Sequence, residues 1–141
     1  MASYLSNGSL FKKGDGATPT EVFATIAQVI SITPPVFERS VVETRVMGQE
    51  YPVVLAGPMN AQTVELKLLF DSADAAHQAF RTDFNSKTVR NYQIVLPDAG
   101  AELTAITAFV SKYGVDELTS EGAEIVATVT LQATAVCTVT P

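Results

Sequence analysis

Apolar residues recur at every second position through most of this chain, the spacing of strands that bury one face. In residues 21–33, Val22, Ala24, Ile26, Gln28, Ile30 and Ile32 share a mostly apolar side, and Pro34 and Pro35 end the run. That pattern predicts one long extended segment. Residues 36–45 predict a second strand with a charged outer face. In residues 47–60, Gly48, Pro52, Gly57 and Pro58 punctuate what reads as a long loop or loose hairpin. Alternation is cleanest in residues 62–70, with Val64, Leu66, Leu68 and Phe70 on one side and Thr63, Glu65 and Lys67 on the other.

The period then changes. Asp71 and Ser72 can supply a helix N-cap, and Asp74 stands where the positive end of the helix dipole favours a carboxylate. The spacing predicts a helix near residues 72–86, with Ala73, Ala76, Phe80 and Phe84 forming one stripe that packs on a sheet. His77, beside that stripe, is expected on the helix surface or packed on the sheet. Strands follow over residues 91–96 and 103–113, separated by a turn at residues 97–100. Residues 121–139 read as one long closing strand, with Ile125, Ala127, Val129, Leu131 and Ala133 inward. Residues 1–20, rich in Gly, Ser, Lys and Thr, read as a flexible N-terminal arm ahead of a single domain over residues 21–141. The fold class is mainly β: a sandwich or barrel of about six to eight strands with one flanking α-helix.

Composition narrows the function classes. A hydrophobic content of 47% excludes a disordered chain. Charged residues reach only 17%, below the roughly 25% of ordinary soluble domains, so the chain has a large interior or hides surface against partners. Nine Lys and Arg against fifteen Asp and Glu give a net charge of −6, with no basic cluster beyond Lys12 and Lys13. Tight binding to nucleic acid needs the opposite balance. No apolar run reaches membrane-spanning length, and the N-terminus has no signal-peptide core, so neither a membrane partner nor export by the usual route is expected.

Candidate chemistry is sparse. One histidine and one cysteine, His77 and Cys137, lie sixty residues apart with no matching motif, which argues against a Cys-His site. Cys137 fits a small, partly buried apolar position. Gly14-Asp15-Gly16 is a turn signal, too short for a phosphate loop. Capping accounts for Asp71 and Asp74, and a solvated helix face accounts for Asp83; Asp116, Glu117 and Glu121 read as a solvated acidic turn. No catalytic residue, cofactor or metal ligand is expected.

The unusual feature is charge-free sequence. Residues 125–140 contain no charged residue and are rich in Val, Thr, Ala and Leu; such a strand is either central in its own sheet or covered by a neighbour. In the 47–60 segment, Met47, Tyr51, Val53, Val54, Leu55 and Met59 make an apolar patch in a region expected at the surface. These six are the candidate subunit-interface residues.

Three segments then resemble the major tail tube proteins of long-tailed, non-contractile bacteriophages. They are Gly-Asp-Gly-Ala-Thr-Pro at 14–19 running into Val22 and Phe23, the strand-to-helix junction at 69–80, and the strand and turn at 90–98 leading to Ala108, Phe109 and Val110. No one segment is diagnostic; their order and spacing are more specific. The resemblance implies a structural subunit with no enzymatic activity. Six copies form a ring, and rings stack into a tube around a tape-measure protein, between tail-tip proteins and a tail terminator. Double-stranded DNA passes through without tight binding. The subunit resides in the virion tail, and in the host cytoplasm during assembly. The arm and the 44–61 loop make the contacts between copies, and no C-terminal immunoglobulin-like domain is expected after the last strand.

The geometry of such a tube is consistent. About twenty-four strands spaced about 4.8 Å apart span roughly 115 Å. A tilt of about 40° widens the backbone diameter to roughly 48 Å, leaving about 25–35 Å between side chains. An acidic or neutral lumen keeps DNA sliding, which makes Glu65, Glu124, Thr128, Thr130 and Gln132 the lumen-facing candidates; Lys67 shares the face of Glu65. Three other readings remain. One is the tube or terminator of a contractile tail or secretion system. Another is a carbohydrate- or receptor-binding β-sandwich, disfavoured by the absence of Trp. The third is a small β-barrel enzyme, which lacks a site.

Overall fold

The structure, a computed structural model, describes residues 8–16, 20–97, 100–120, 122 and 124–140. Ten strands and one helix follow in chain order. The strands are β1 (Leu10–Gly14), β2 (Phe23–Thr25), β3 (Val29–Thr33), β4 (Arg39–Thr44), β5 (Val53–Met59) and β6 (Thr63–Leu69), then, after helix α1 (Ala75–Ser86), β7 (Arg90–Val95), β8 (Leu103–Val115), β9 (Val126–Ala133) and β10 (Thr138–Thr140). Eight strands form one sheet in the order β2-β1-β7-β8-β9-β6-β3, with β10 also on β8; β4 and β5 form a separate pair.

Period-two alternation dictates the core. Val64, Leu66 and Leu68 on β6 pair with Leu131, Val129 and Ala127 on β9, and all six are buried on the same face. Ile106, Ala108 and Val110 continue that face on β8, Tyr92 and Ile94 on β7, and Phe11 on β1. The strands at the two ends of the sheet are neighbours in sequence. The segment expected as one extended run breaks at Gln28, whose φ of 61° turns the chain. Its first half pairs with β1 and its second with β6. Bonds from Ile26 N–H to Phe11 O and from Leu69 N–H to Gln28 O flank the bend. The sheet therefore curls until its ends meet through three residues.

Helix α1 packs on the core side. Its N-cap is Asp74, which accepts the Ala76 N–H at 2.9 Å, three residues later than expected. Asp71 instead holds the preceding turn, accepting the Ala73 N–H. The buried residues of the helix are His77, Phe80 and Asp83, while Phe84, expected inward, is 45% exposed. His77 accepts the Asp71 N–H on Nδ1 and bonds Ala27 O through Nε2, which ties the helix to the bend beside Gln28. Those two bonds define the neutral tautomer with the proton on Nε2. Asp83 overturns the solvated-face expectation: it is buried, 2.8 Å from Arg90 Nε on β7 and 2.9 Å from Lys13 Nζ on β1.

Two other expectations change. Leu10–Gly14, assigned to a flexible arm, is a strand of the sheet because Phe11 fills the core and Lys13 reaches Asp83; residues 1–7 and 17–19 lie outside the described residues. The single closing strand is interrupted. Residues 134–137 bulge between β9 and β10, both of which pair with β8, and Cys137 is carried into the interior, where its N–H bonds Gln62 Oε1. Ile125 lies before β9 and is exposed, not inward.

Tyr92 is fully buried with its ring 5.6 Å from Phe11, and its hydroxyl has no hydrogen-bond partner among the described residues. Burial, with a smaller push from the Asp83 carboxylate, raises the phenol well above its ordinary value of 10.0. The folded chain thus holds this proton more tightly than the unfolded chain. The contribution is intact below pH 10 and is lost as the pH rises above it. Tyr92→Phe is expected to leave stability at pH 7 unchanged or raise it by about 0.5–1 kcal/mol. It should also flatten the alkaline loss. Urea unfolding across the pH range checks this, and clear destabilisation at pH 7 would contradict an unpartnered hydroxyl.

Candidate functional site: an uncovered hairpin beside the sheet

The segment read as a long loop or loose hairpin is a hairpin. β-branched residues at 41, 42, 53 and 54 favour extended backbone, and Val42 pairs with Leu55, Glu43 with Val54, and Thr44 with Val53. Gly57 has no side chain because Ser40 O lies 2.8 Å from where its Cβ would stand. Pro58 is tolerated because β5 has a free outer edge. At the base, Arg39 Nη1 donates to Gly57 O at 3.0 Å and Asn60 N–H to Glu38 O at 2.9 Å. At the tip, Gly48 takes φ 86° and Gln49 N–H bonds Val46 O.

Among the described residues, nothing covers either face of this pair. Val42 and Leu55 are exposed on one side, Val41 and Val54 on the other. Met47 is 98% exposed at the tip and Tyr51 80%. None of these residues belongs to the core cluster. A lone two-stranded hairpin is marginal in water, and contiguous apolar surface of this kind marks a docking surface. The hairpin brings together all six predicted interface residues: Met47 and Tyr51 near the tip, Val53, Val54 and Leu55 along β5, and Met59 half-buried at the base. The sequence reading missed Val41, Val42 and Val46, having given residues 36–45 a charged outer face. Adjacent apolar residues at 41 and 42 were the available signal, since successive side chains in a strand point to opposite faces and only one can meet a core.

The lumen candidates fall on the sheet face opposite the core. Glu65 pairs with Thr130, Lys67 with Thr128, and Thr63 with Gln132, so four of the five predicted residues share one surface. Glu124 does not join them; it precedes β9 and is exposed. Thr128 Oγ1 donates to Asp116 Oδ1 at 2.8 Å, and Gln132 Nε2 to Gln62 O at 3.1 Å. Lys112 on β8 lies opposite Thr130. Glu65, Lys67, Lys112 and Asp116 line one shallow depression of about 320 Å³, two carboxylates against two ammonium groups. The face is charge-balanced there.

No group of three or more His, Cys, Asp or Glu stands in metal-binding geometry among the described residues. Both nitrogens of His77 are engaged in holding α1, and burial pushes the Cys137 thiol up, away from the reactive thiolate. Among the described residues no helix is long and apolar enough to cross a membrane.

Solved chains from tail and injection-system assemblies share this fold along nearly the whole chain. The chain is similar over its full length to a solved chain from the sheath/tube terminator of an extracellular contractile injection system, with a TM-score of 0.79, 13% identity, and coverage of 100% of this chain and 99% of that one. It is equally similar in extent to a chain from the tail of a gene transfer agent particle of C6 symmetry, with a TM-score of 0.76, 17% identity, and coverage of 99% and 100%. A chain of the 6-fold symmetrised anti-feeding prophage baseplate matches with a TM-score of 0.76, 13% identity, and coverage of 99% and 97%. No protein-family model and no curated protein matches the sequence.

Proposed function

We propose that this chain is a non-enzymatic structural subunit of a phage-type tail tube. Six copies form a ring, and rings stack into a channel through which double-stranded DNA leaves the virion. The carrying observation is the hairpin, apolar on both faces and covered by none of the described residues of its own chain, on a fold shared along nearly its whole length with chains of six-fold tail assemblies. The resemblance of the three sequence segments favours a non-contractile tail, with a tape-measure protein in the lumen during assembly and terminator and tail-tip proteins at the ends. The likeness to a sheath/tube terminator supports a second reading, a ring that caps a tube and does not extend it.

Negative-stain electron microscopy of the purified protein at rising concentration separates these readings. Hollow tubes with a channel wider than a DNA duplex support the tube subunit, and single rings that never stack support the terminator. Strict monomers at every concentration, even with tail-tip complexes added, count against both.

Glu65, Thr128, Thr130 and Gln132 are proposed to face the lumen, with Glu124 at its margin. Because Lys67 and Lys112 already balance the carboxylates nearby, Glu65→Lys together with Glu124→Lys turns this surface net basic. Phosphate attraction should then slow DNA release by roughly tenfold without blocking tube assembly. Ejection kinetics from reconstituted particles measure it; unchanged kinetics would remove these residues from the lumen.

A further inference from the structure

The hairpin interface of the proposed tube leaves its acceptor unnamed, and a second surface of the chain is complementary to the hairpin tip. Pairing of β7 with β8 ends at Arg90 opposite Ala108, so the next residues of β8 lose their neighbour on that side. The C-terminal end of α1 lies there instead. Phe84 and Lys87 from the end of the helix and Phe109, Val110 and Ser111 from β8 line a notch of about 620 Å³. Lys87 is held in the left-handed region at φ 59°, its N–H bonded to Asp83 O, which fixes where its side chain leaves the helix. Its ammonium has no ion-pair partner among the described residues.

The hairpin tip offers the matching groups. Tyr51 is an exposed aromatic next to Glu50, whose carboxylate has no ion-pair partner among the described residues either. Arg45 Nη1 donates to Glu50 O at 3.4 Å, which holds the backbone at this point. Within one copy the two surfaces stay apart, since no hairpin residue lines the notch. An exposed aromatic, an open aromatic-lined notch and opposite unpaired charges at their edges are the ingredients of an interface anchor. Charge complementarity of this kind also favours one register over others.

We propose that the hairpin tip of one copy seats in this notch of a second copy, with Tyr51 against Phe84 and Phe109 and Glu50 facing Lys87. The assignment rests on the tube reading above. Glu50 and Lys87 are both exposed, so reversing either charge leaves the fold intact. Lys87→Glu alone and Glu50→Lys alone are each expected to raise the concentration needed for tube formation by about 100-fold, the effect of like charges meeting at a contact. The double reversal is expected to recover most of that loss. Independently, Glu50→Cys combined with Lys87→Cys should give a ladder of disulfide-linked oligomers on oxidation of assembled tubes, while Cys137 remains buried. Tubes indifferent to both single reversals, or a double reversal no better than either one, overturn the pairing. If hairpin variants stripped of Val42, Val54 and Leu55 still fail to assemble in that case, the hairpin interface stands and only its acceptor is wrong.

Discussion

Replacing Val42, Val54 and Leu55 together with serine is expected to yield a folded protein that no longer assembles. All three are exposed in one copy, and none contributes to the core cluster, so thermal unfolding of the monomer should move little. The assembled state is different. Covering an aliphatic side chain is worth about 1.5–3 kcal/mol. Three such losses approach about 5–9 kcal/mol, or a rise of at least about 1000-fold in the concentration needed for assembly. Interface contributions do not add strictly, so the lower figure is the expectation. Sedimentation velocity across a concentration series, paired with circular dichroism, separates loss of assembly from loss of fold. Tubes that form at the wild-type concentration would show that these side chains meet no partner, and the proposed contact surface would be wrong. Improved solubility of the serine variant as a monomer should accompany the loss, because the same apolar faces invite nonspecific association.

The second large effect belongs to Asp83. Its carboxylate is 1% exposed and holds Arg90 and Lys13, joining α1 to β7 and β1. Lys13 Nζ also stands 5.6 Å from the centre of the Phe80 ring, so the cation is held between a carboxylate and an aromatic face. Asp83→Asn keeps the shape and removes the charge, leaving two cations facing each other with little water to screen them. Breaking a buried pair in this way costs about 3–5 kcal/mol. At roughly 2–4 °C per kcal/mol, Tm should fall by about 6–20 °C. Lys13→Met in the same chain should recover part of the loss, since it relieves the cation repulsion; a double-mutant cycle reads that coupling directly. An Asp83→Asn variant as stable as the parent would mean that the cluster contributes no net stability. The position of Lys13 matters beyond stability. It lies in residues 1–20, the segment the composition alone marks as a flexible arm, and its ion pair with Phe11 packing makes Leu10–Gly14 part of the sheet.

Much of this architecture was determined by the sequence alone, wherever the pattern was local. Strand β6 reads directly from Val64, Leu66 and Leu68 alternating with Thr63, Glu65 and Lys67, because in a strand the side-chain period is two and one face is dry. The existence of α1 reads from its change of period and its acidic start. The apolar patch of residues 47–60 is legible in the same way, and its residues lie on the hairpin tip and strand β5.

Only the tertiary structure decided the rest, and in each case the deciding partner is distant in sequence. Asp83 looks like a solvated helix residue until Lys13, seventy residues earlier, is brought to it beside Arg90. His77 becomes a core residue because Ala27 O, fifty residues earlier, accepts its hydrogen bond. The break at Gln28 is invisible to alternation, since its two halves pair with different strands at opposite ends of the sheet. The bulge at residues 134–137 depends on Gln62, which binds the Cys137 N–H across seventy-five residues. The exposed side of β4 follows the same rule: whether Val41 or Val42 meets a core depends on what lies beside the hairpin, and none of the described residues does. Hydrophobic patterning states which side chains must leave water; the long-range pairing of strands decides what covers them, and no described residue covers this hairpin.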